Sequence, residues 1–319
     1  MAGVQVWTAV LLVGCTTAAF AQAWPTKPIR LIVSYPAGGG TDITARIIAQ
    51  KLTESLGRNV IVDNRTGGGG IVGTDAIAKA LPDGYTIGMA TPSPITIGRA
   101  LFPSLPYDAL GDFAPIILAN ESASVLVVHP DLPARSVKEL VALARVRSLN
   151  VAINNVASVH HLLKEMFNHA AGISMNNVPY KGGGLAVSDL LGGQTELLWS
   201  VLPLVLPFIQ NGRLRALAVA SEKRSVLLPN VPTMGESGWP TIVGSGWNGL
   251  VAPRKTPRAL VARLNAEITG ALNAPDVRQR FTTLGFETLG GTPEEFAAFM
   301  NAEAVKWAAV IKTAKIKLD

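Results

Sequence analysis

Short apolar runs alternate along the chain with stretches whose apolar residues recur three and four apart, the pattern of strands alternating with helices. Ile29–Ser34 reads as a strand, and Ile43, Ile47, Ile48, Leu52 and Leu56 then line one side of a helix that Gly57 ends. Val60–Val62 is a short strand, and Thr74 is expected to cap a helix running to Leu81. Pro82-Asp83-Gly84 has the chemistry of a turn, Pro fixing one φ and Gly supplying a positive one, and Tyr85–Ala90 follows as a strand. Further on, Ile116–Ala119, Val125–Val128 and Val151–Ile153 read as strands. Ser136-Val137-Lys138-Glu139 is a capping box, and His160–Ala170 reads as a helix. Met175–Pro179, Leu197–Trp199, Val201–Ile209 and Leu214–Ala220 continue the alternation. The tail reads as two helices, Pro257–Leu272 and Thr292–Ile311, the second opened by another capping box at Thr292–Glu295. The alternation implies a parallel-rich α/β architecture.

At two places a strand runs through three glycines into a helix. The first is Pro36-Ala37-Gly38-Gly39-Gly40, with a helix opening at Thr41 and Asp42. The second is Tyr180-Lys181-Gly182-Gly183-Gly184, with a helix beginning near Leu185. A helix start carries unpaired N–H groups and about half a positive charge, and glycine removes the Cβ that would hold a ligand away. Each junction is a candidate anion cradle. Two such contexts far apart in sequence suggest two α/β lobes of one plan. The chain would cross between them near residues 120–125 and return near 242–250, giving lobe 1 as 24–122 with 250–319 and lobe 2 as 123–249.

The other candidate contacts are hydroxyls and a ring. Thr91 and Ser93 follow the strand ending at Ala90, at the carboxyl end where open α/β sheets bind ligands. Ser158 and His160 open a helix and either face a ligand or cap that helix. Asp42 either meets a ligand amino group or caps its own helix, and Lys181 either pairs with a carboxylate or stays in solvent.

Several chemistries lack a site. Gly68, Gly70 and Gly73 match a dinucleotide fingerprint in letters. However, Asp63–Gly67 separates them from the strand, and no acidic residue ends a second strand about 20 positions on. His161, Glu165 and His169 share a helical spacing that a metal could use, but a solvated polar face accounts for them equally well. No G-x-S-x-G elbow or P-loop lysine is present. No metal, cofactor or catalytic group is therefore expected. An α/β enzyme acting on a carboxylate would have only His160 or Asp42 as base or nucleophile.

Composition narrows the setting. The 319 residues are 48% apolar and 16% charged, ample for two domains with a buried core. The net charge of +6 is scattered rather than clustered, which argues against nucleic acid and for weak steering of anionic ligands or towards a membrane surface. Val4–Val13 is nearly all apolar and is followed by Ala19-Phe20-Ala21 and Ala21-Gln22-Ala23, so residues 1–23 read as a secretory signal. Leu12-Val13-Gly14-Cys15 also fits a lipoprotein box, which would anchor the chain at Cys15. That is the only cysteine, so with cleavage after it disulfides and thiolate chemistry drop out of the mature chain.

Taken in order, Pro36–Asp42, Asn64–Gly70, Pro82–Thr86, Val178–Gly182, Gly192-Gly193-Gln194, Leu228–Thr233 and Lys306-Trp307 resemble the substrate-binding proteins of tripartite tricarboxylate transporters, the Bug family of periplasmic receptors. The resemblance covers nearly everything after Trp24. It implies a two-lobed Venus-flytrap (type II periplasmic-binding-protein) fold that closes on a small organic carboxylate. It also implies that backbone amides of the two glycine junctions hold the ligand, and that a separate membrane permease receives it. A ligand sensor serving a signalling partner would show the same residues. A monomer is expected. The chain departs from the family pattern at Asn154–His160, usually richer in Gly and Ser, and at Trp199-Ser200, so a relative's ligand does not transfer.

Overall fold

The computed structural model describes residues 24–102, 104–314 and 316. The expected signal segment and Cys15 lie outside the described residues. No described helix is long and apolar enough to cross a membrane.

The strands, in chain order, are β1 (Ile29–Val33), β2 (Val60–Asn64), β3 (Thr86–Ala90), β4 (Phe113–Val128), β5 (Asn150–Ile153), β6 (Asn176–Pro179), β7 (Leu197–Val201), β8 (Arg215–Val219), β9 (Ser245–Pro253) and β10 (Glu287–Gly290). The helices are α1 (Gly40–Leu56), α2 (Ile71–Ala78), α3 (Gly98–Leu101), α4 (Val137–Val146), α5 (Val159–Ala171), α6 (Gly183–Leu191), α7 (Leu202–Gln210), α8 (Arg258–Asn273), α9 (Pro275–Leu284) and α10 (Pro293–Thr313).

Hydrogen bonding orders the strands β2-β1-β3-β9-β4-β7-β5-β6, with β10 and β8 also paired to β4. β1 is parallel to β2 and β3, and β5 is parallel to β6 and β7, so each end of the series is a parallel unit of the kind the alternation predicts. The antiparallel strands β9 and β4 join them. β4 changes partners along its length: Phe113 to Ala123 pair with β9, and Ser124 to Val128 pair with β7.

β4 is one 16-residue strand where the apolar pattern predicts two, because Asn120 and Ser122 interrupt the run yet are buried. Asn120 is tolerated there because both ends of its side-chain amide are bonded. Its Nδ2 donates to Thr44 Oγ1 at 3.1 Å, and its Oδ1 accepts from Asn248 Nδ2 at 2.9 Å.

Each sheet unit is covered on both faces. Period-2 alternation sends Val125 and Val127 of β4 into a core under α6 and α7, while Leu126 and Val128 enter a core under α4 and α5. Likewise Leu31 and Val33 of β1 pack against Ile48, Leu52, Leu264 and Ile268, while Ile32 faces Ile77, Trp247 and Phe296. The C-terminal helix α10 spans two of these cores, with Phe296 and Met300 in the one around Trp247 and Trp307 and Ile311 in the one around Trp199. Its start has the full capping box: Glu295 N–H donates to Thr292 Oγ1 at 3.1 Å, and Thr292 N–H donates to the Glu295 carboxylate at 2.7 Å. At Ser136 the box is offset, since the Glu139 carboxylate takes the N–H of Arg135 instead.

Candidate functional site

The first glycine junction leaves β1 and enters α1. Gly39 occupies the N-cap in extended geometry, with no side-chain cap. The first amides of α1 therefore have no intrahelical acceptor and no capping side chain. Asp42 fixes the loop from behind. Its Oδ2 accepts from Gly38 N–H and from Arg46 Nε, both at 2.9 Å, and its Oδ1 accepts from Asn64 Nδ2 at 2.9 Å. Asn64 Nδ2 also donates to the Tyr35 carbonyl at 3.0 Å. Burial alone would raise the Asp42 pKa, but the bonds from Arg46, the Gly38 amide and Asn64 outweigh it, so the carboxyl lies below its ordinary range.

The second junction leaves β6 and enters α6. Gly182, at φ +152°, is the N-cap, again without a side-chain cap. Tyr180 anchors this loop: its hydroxyl donates to Asp189 Oδ2 at 2.8 Å, and its amide donates to the Ile153 carbonyl at 2.8 Å. Desolvation, and then the bond to Asp189, push the Tyr180 pKa up to about 12. In both junctions a loop with one glycine at positive φ, Gly38 or Gly182, is held by a carboxylate on the following helix.

The two junctions meet across one cavity of about 400 Å³. They are so close that a Cβ placed on Gly182 would lie 3.3 Å from Pro36 Cγ of the first junction; one on Gly40 would lie 3.4 Å from Val201 Cγ2 at the end of β7. The remaining wall comes from the ends of other strands. Thr91 and Ser93 follow β3, Asn154, Ser158 and His160 follow β5, and Trp247 and Asn248 come from β9. Among the described residues, no Lys, Arg, Asp or Glu lines the cavity. Its positive character rests on two helix starts.

The His160 ring is buried and has no charged partner, so desolvation lowers its pKa to about 4 and it is neutral near pH 7. Tyr35 and Thr91 share a hydrogen bond at 3.1 Å. Burial raises the Tyr35 pKa, and bonds from Thr91 and Ser93 only partly oppose it, so the hydroxyl keeps its proton.

The tripartite tricarboxylate transporter family receptor model matches residues 44–316. The chain belongs to that family. The receptor is 40% identical over 301 residues to Protein BugT of Bordetella pertussis, covering 93% of this chain and 92% of that one. A Rhodopseudomonas palustris protein solved with adipate superimposes with a TM-score of 0.89 at 34% identity, covering 92% of this chain and 99% of that one. MatC from the same organism, with bound malate, superimposes with a TM-score of 0.87 at 30% identity, covering 90% and 100%. The receptor thus has the two-lobed periplasmic-binding-protein fold, and its family and neighbours are solute-binding proteins.

Of the residues singled out from the sequence of the receptor, Gly39, Gly40, Thr41, Thr91, Ser93, Ser158, His160, Gly182, Gly183 and Gly184 line the cavity. Gly38, Asp42 and Lys181 stand back from it. Asp42 is buried beneath the loop it holds, and Lys181 is exposed to solvent. Ser158 also caps α5, accepting from His161 N–H at 3.2 Å. Trp247, Asn248, Val201, Leu204 and Phe286 line the cavity without having been singled out, and so does Asn154. A polar residue directly after a buried strand was the one available signal for Asn154.

Gly68 and Gly70 form a short 3₁₀ turn with Gly69, all three at positive φ, and Gly73 brings α2 against β1: a Cβ there would lie 2.7 Å from Ser34 Cα. His161 and Glu165 approach to 3.5 Å, whereas His169 lines a separate hollow between α5 and α10. Lys164 and His161 hold the Glu165 carboxylate: burial raises its pKa, but their bonds bring it down to about 2.

Proposed function

We propose that this protein is an extracytoplasmic receptor that captures a small organic carboxylate between the Gly38–Gly40 and Gly182–Gly184 loops and delivers it to membrane permease subunits of a tripartite transporter. The observation that carries the reading is the pairing of two uncapped helix starts on one cavity whose wall, among the described residues, has no Lys, Arg, Asp or Glu. Amides at a helix start favour an anion, and a carboxylate reaching both would tie the halves together. The adipate and malate held by the two R. palustris proteins support a carboxylate of similar size.

In this reading one lobe comprises residues 24–122 and 250–319, the other 123–249, and ligand binding closes one on the other. The segment before Trp24 acts as the export signal, placing the mature chain in the periplasm. Receptor rather than enzyme is favoured by the state of the two candidate catalytic groups. The Asp42 carboxylate is committed to three donors behind the loop, and His160 is neutral with no carboxylate to orient it.

A thermal-shift screen of mono-, di- and tricarboxylates tests this. A ligand at 100 times its dissociation constant adds about 2.7 kcal/mol of stability. Stabilisation by a carboxylate, with none from the corresponding neutral amide, is expected. Stabilisation by the amide alone would overturn the anion reading.

A further inference from the structure

The segment between β5 and α5 meets the opposite sheet unit through two successive carbonyls. The Ala157 carbonyl accepts from the hydroxyl of Ser93, which follows β3. The Val156 carbonyl faces the Gly67–Gly70 turn, where a Cβ on Gly69 would lie 3.3 Å from its oxygen. Gly69 sits at φ +67°, so its backbone angle and this close approach both call for glycine. The glycine run before α2 thus forms a seat for backbone arriving from the other unit.

His161, in the first turn of α5, holds this segment from behind. Its Nδ1 accepts from the Ala157 N–H at 3.3 Å, and its Nε2 lies 3.5 Å from Glu165 Oε1. A ring nitrogen that accepts an amide hydrogen carries none of its own, so in the neutral ring the hydrogen belongs on Nε2, towards the carboxylate. Glu165 is fixed in turn: its Oε1 also accepts from Lys164 Nζ at 2.9 Å and from Asn177 Nδ2 at 3.2 Å. His161 and Lys164 are buried, and neither they nor Glu165 belong to the cavity wall.

The N–H of Ala157 and the carbonyl of Val156 share one planar peptide and point in opposite directions. The ring therefore grips one end of a plate whose other end faces Gly69. The left-handed φ of Ala157 then turns the next carbonyl onto Ser93. A buried amide left without its acceptor costs free energy, so the plate is held as firmly as the ring is.

We propose that His161, kept in its tautomer by Glu165, is a positioning residue for ligand binding: through the Ala157 amide it sets the two carbonyls on which the opposite unit seats. The inference rests on the reading above, in which a ligand bridges the two units, and adds what aligns them.

Three variants separate an acceptor from mere bulk. His161→Asn places its side-chain oxygen where Nδ1 stands, His161→Gln places it where Nε2 stands, and His161→Phe keeps a ring without an acceptor. Succinate, malate, adipate and citrate are titrated by calorimetry, and the tightest serves as probe. Its affinity is expected to fall about 10-fold in His161→Phe and His161→Gln but to stay within about 3-fold in His161→Asn. In a Ser93→Ala background the loss from His161→Phe should shrink, because the two changes act on one contact. In the unliganded chain, exchange of the Ala157 amide should quicken about 10-fold in His161→Phe and not in His161→Asn. Nitrogen NMR of the histidine-labelled parent at mildly alkaline pH should place the ring hydrogen on Nε2. The opposite tautomer, additive losses with Ser93→Ala, or equal losses in His161→Phe and His161→Asn would overturn the proposal. Should His161→Phe fail to fold, the contrast between the other two variants decides. If none of the four acids binds, the carboxylate reading falls, and the exchange rates and the tautomer decide this assignment.

Discussion

The hydroxyl of Ser93 donates to the carbonyl oxygen of Ala157 at 2.9 Å, a buried hydrogen bond between the loop after β3 and the loop after β5. Ala157 holds a left-handed φ of +60°, rare for a residue with a Cβ, which aims that carbonyl at Ser93. One bond thus links the two parallel units at the edge of the cavity. Ser93→Ala is expected to weaken ligand binding roughly 2- to 10-fold, through loss of about 0.5–1.5 kcal/mol from the joined state. Titration calorimetry reads the affinity, and small-angle scattering should show a larger radius of gyration for the unliganded variant. Unchanged affinity would remove the latch role.

Gly182 faces Pro36 so closely that its replacement tests the apposition directly. Gly182→Val should reduce ligand affinity at least 10-fold, because the new side chain must displace Pro36 from the opposite junction. Gly38→Ala is the matched control: φ there is +82°, but its Cβ would meet nothing within 4 Å. The control carries backbone strain of about 1 kcal/mol without the obstruction. Similar affinity losses in the two variants would mean that strain, not contact, is responsible.

Asp42 should matter to stability and, through the loop, to binding. Asp42→Ala leaves the Gly38 amide, Arg46 and Asn64 without their acceptor, and a loss of about 2–4 kcal/mol is expected in denaturant unfolding. Because its folded pKa is depressed, the carboxylate's contribution is complete above its unfolded value near 4 and declines as pH falls through the folded value. The gap between the parent protein and the variant should therefore stay constant from pH 7 to about 5 and shrink below about 4. A constant gap down to pH 2 would contradict the assignment.

His160 acts in a different pH window. Its folded pKa is about 4, and an unfolded histidine titrates near 6.5. Between those values the unfolded chain gains a proton that the folded one refuses, so the His160 contribution to stability falls as pH drops from about 6.5 to 4 and is constant beneath. The difference between parent and variant isolates this group, so His160→Phe should remove about 3 kcal/mol of pH dependence between pH 6.5 and 4. Parallel profiles for the parent protein and the variant would mean the ring is not held neutral.

The glycine junctions were legible because their signal is local: three residues without Cβ between a strand and a periodic helix need no knowledge of the rest of the chain. The direction of neighbouring side chains was not. Lys181 and Gly182 are adjacent, yet one is exposed and the other packs against Pro36, a difference set by the φ of Gly182 and by the bond from Tyr180 to Asp189. Trp247 and Phe286 were out of reach for another reason. They arrive in the cavity from far along the chain, through the antiparallel pairing of β9 with β4 and the placement of α9 and β10, which local periodicity does not encode. Asn120 in β4 made the same point in reverse. Its polarity suggested a break in a strand, whereas Thr44 and Asn248, distant in sequence, satisfy it inside one.

The helix α10, about 31 Å long at 1.5 Å per residue, roots Phe296 among the side chains around Trp247 and Trp307 among those around Trp199. Any movement that slides or turns one of these cores against the other must pull an aromatic side chain of α10 out of its packing or bend the helix between them. The 21 residues of α10 thereby act as a strut that rivets the two cores to one another.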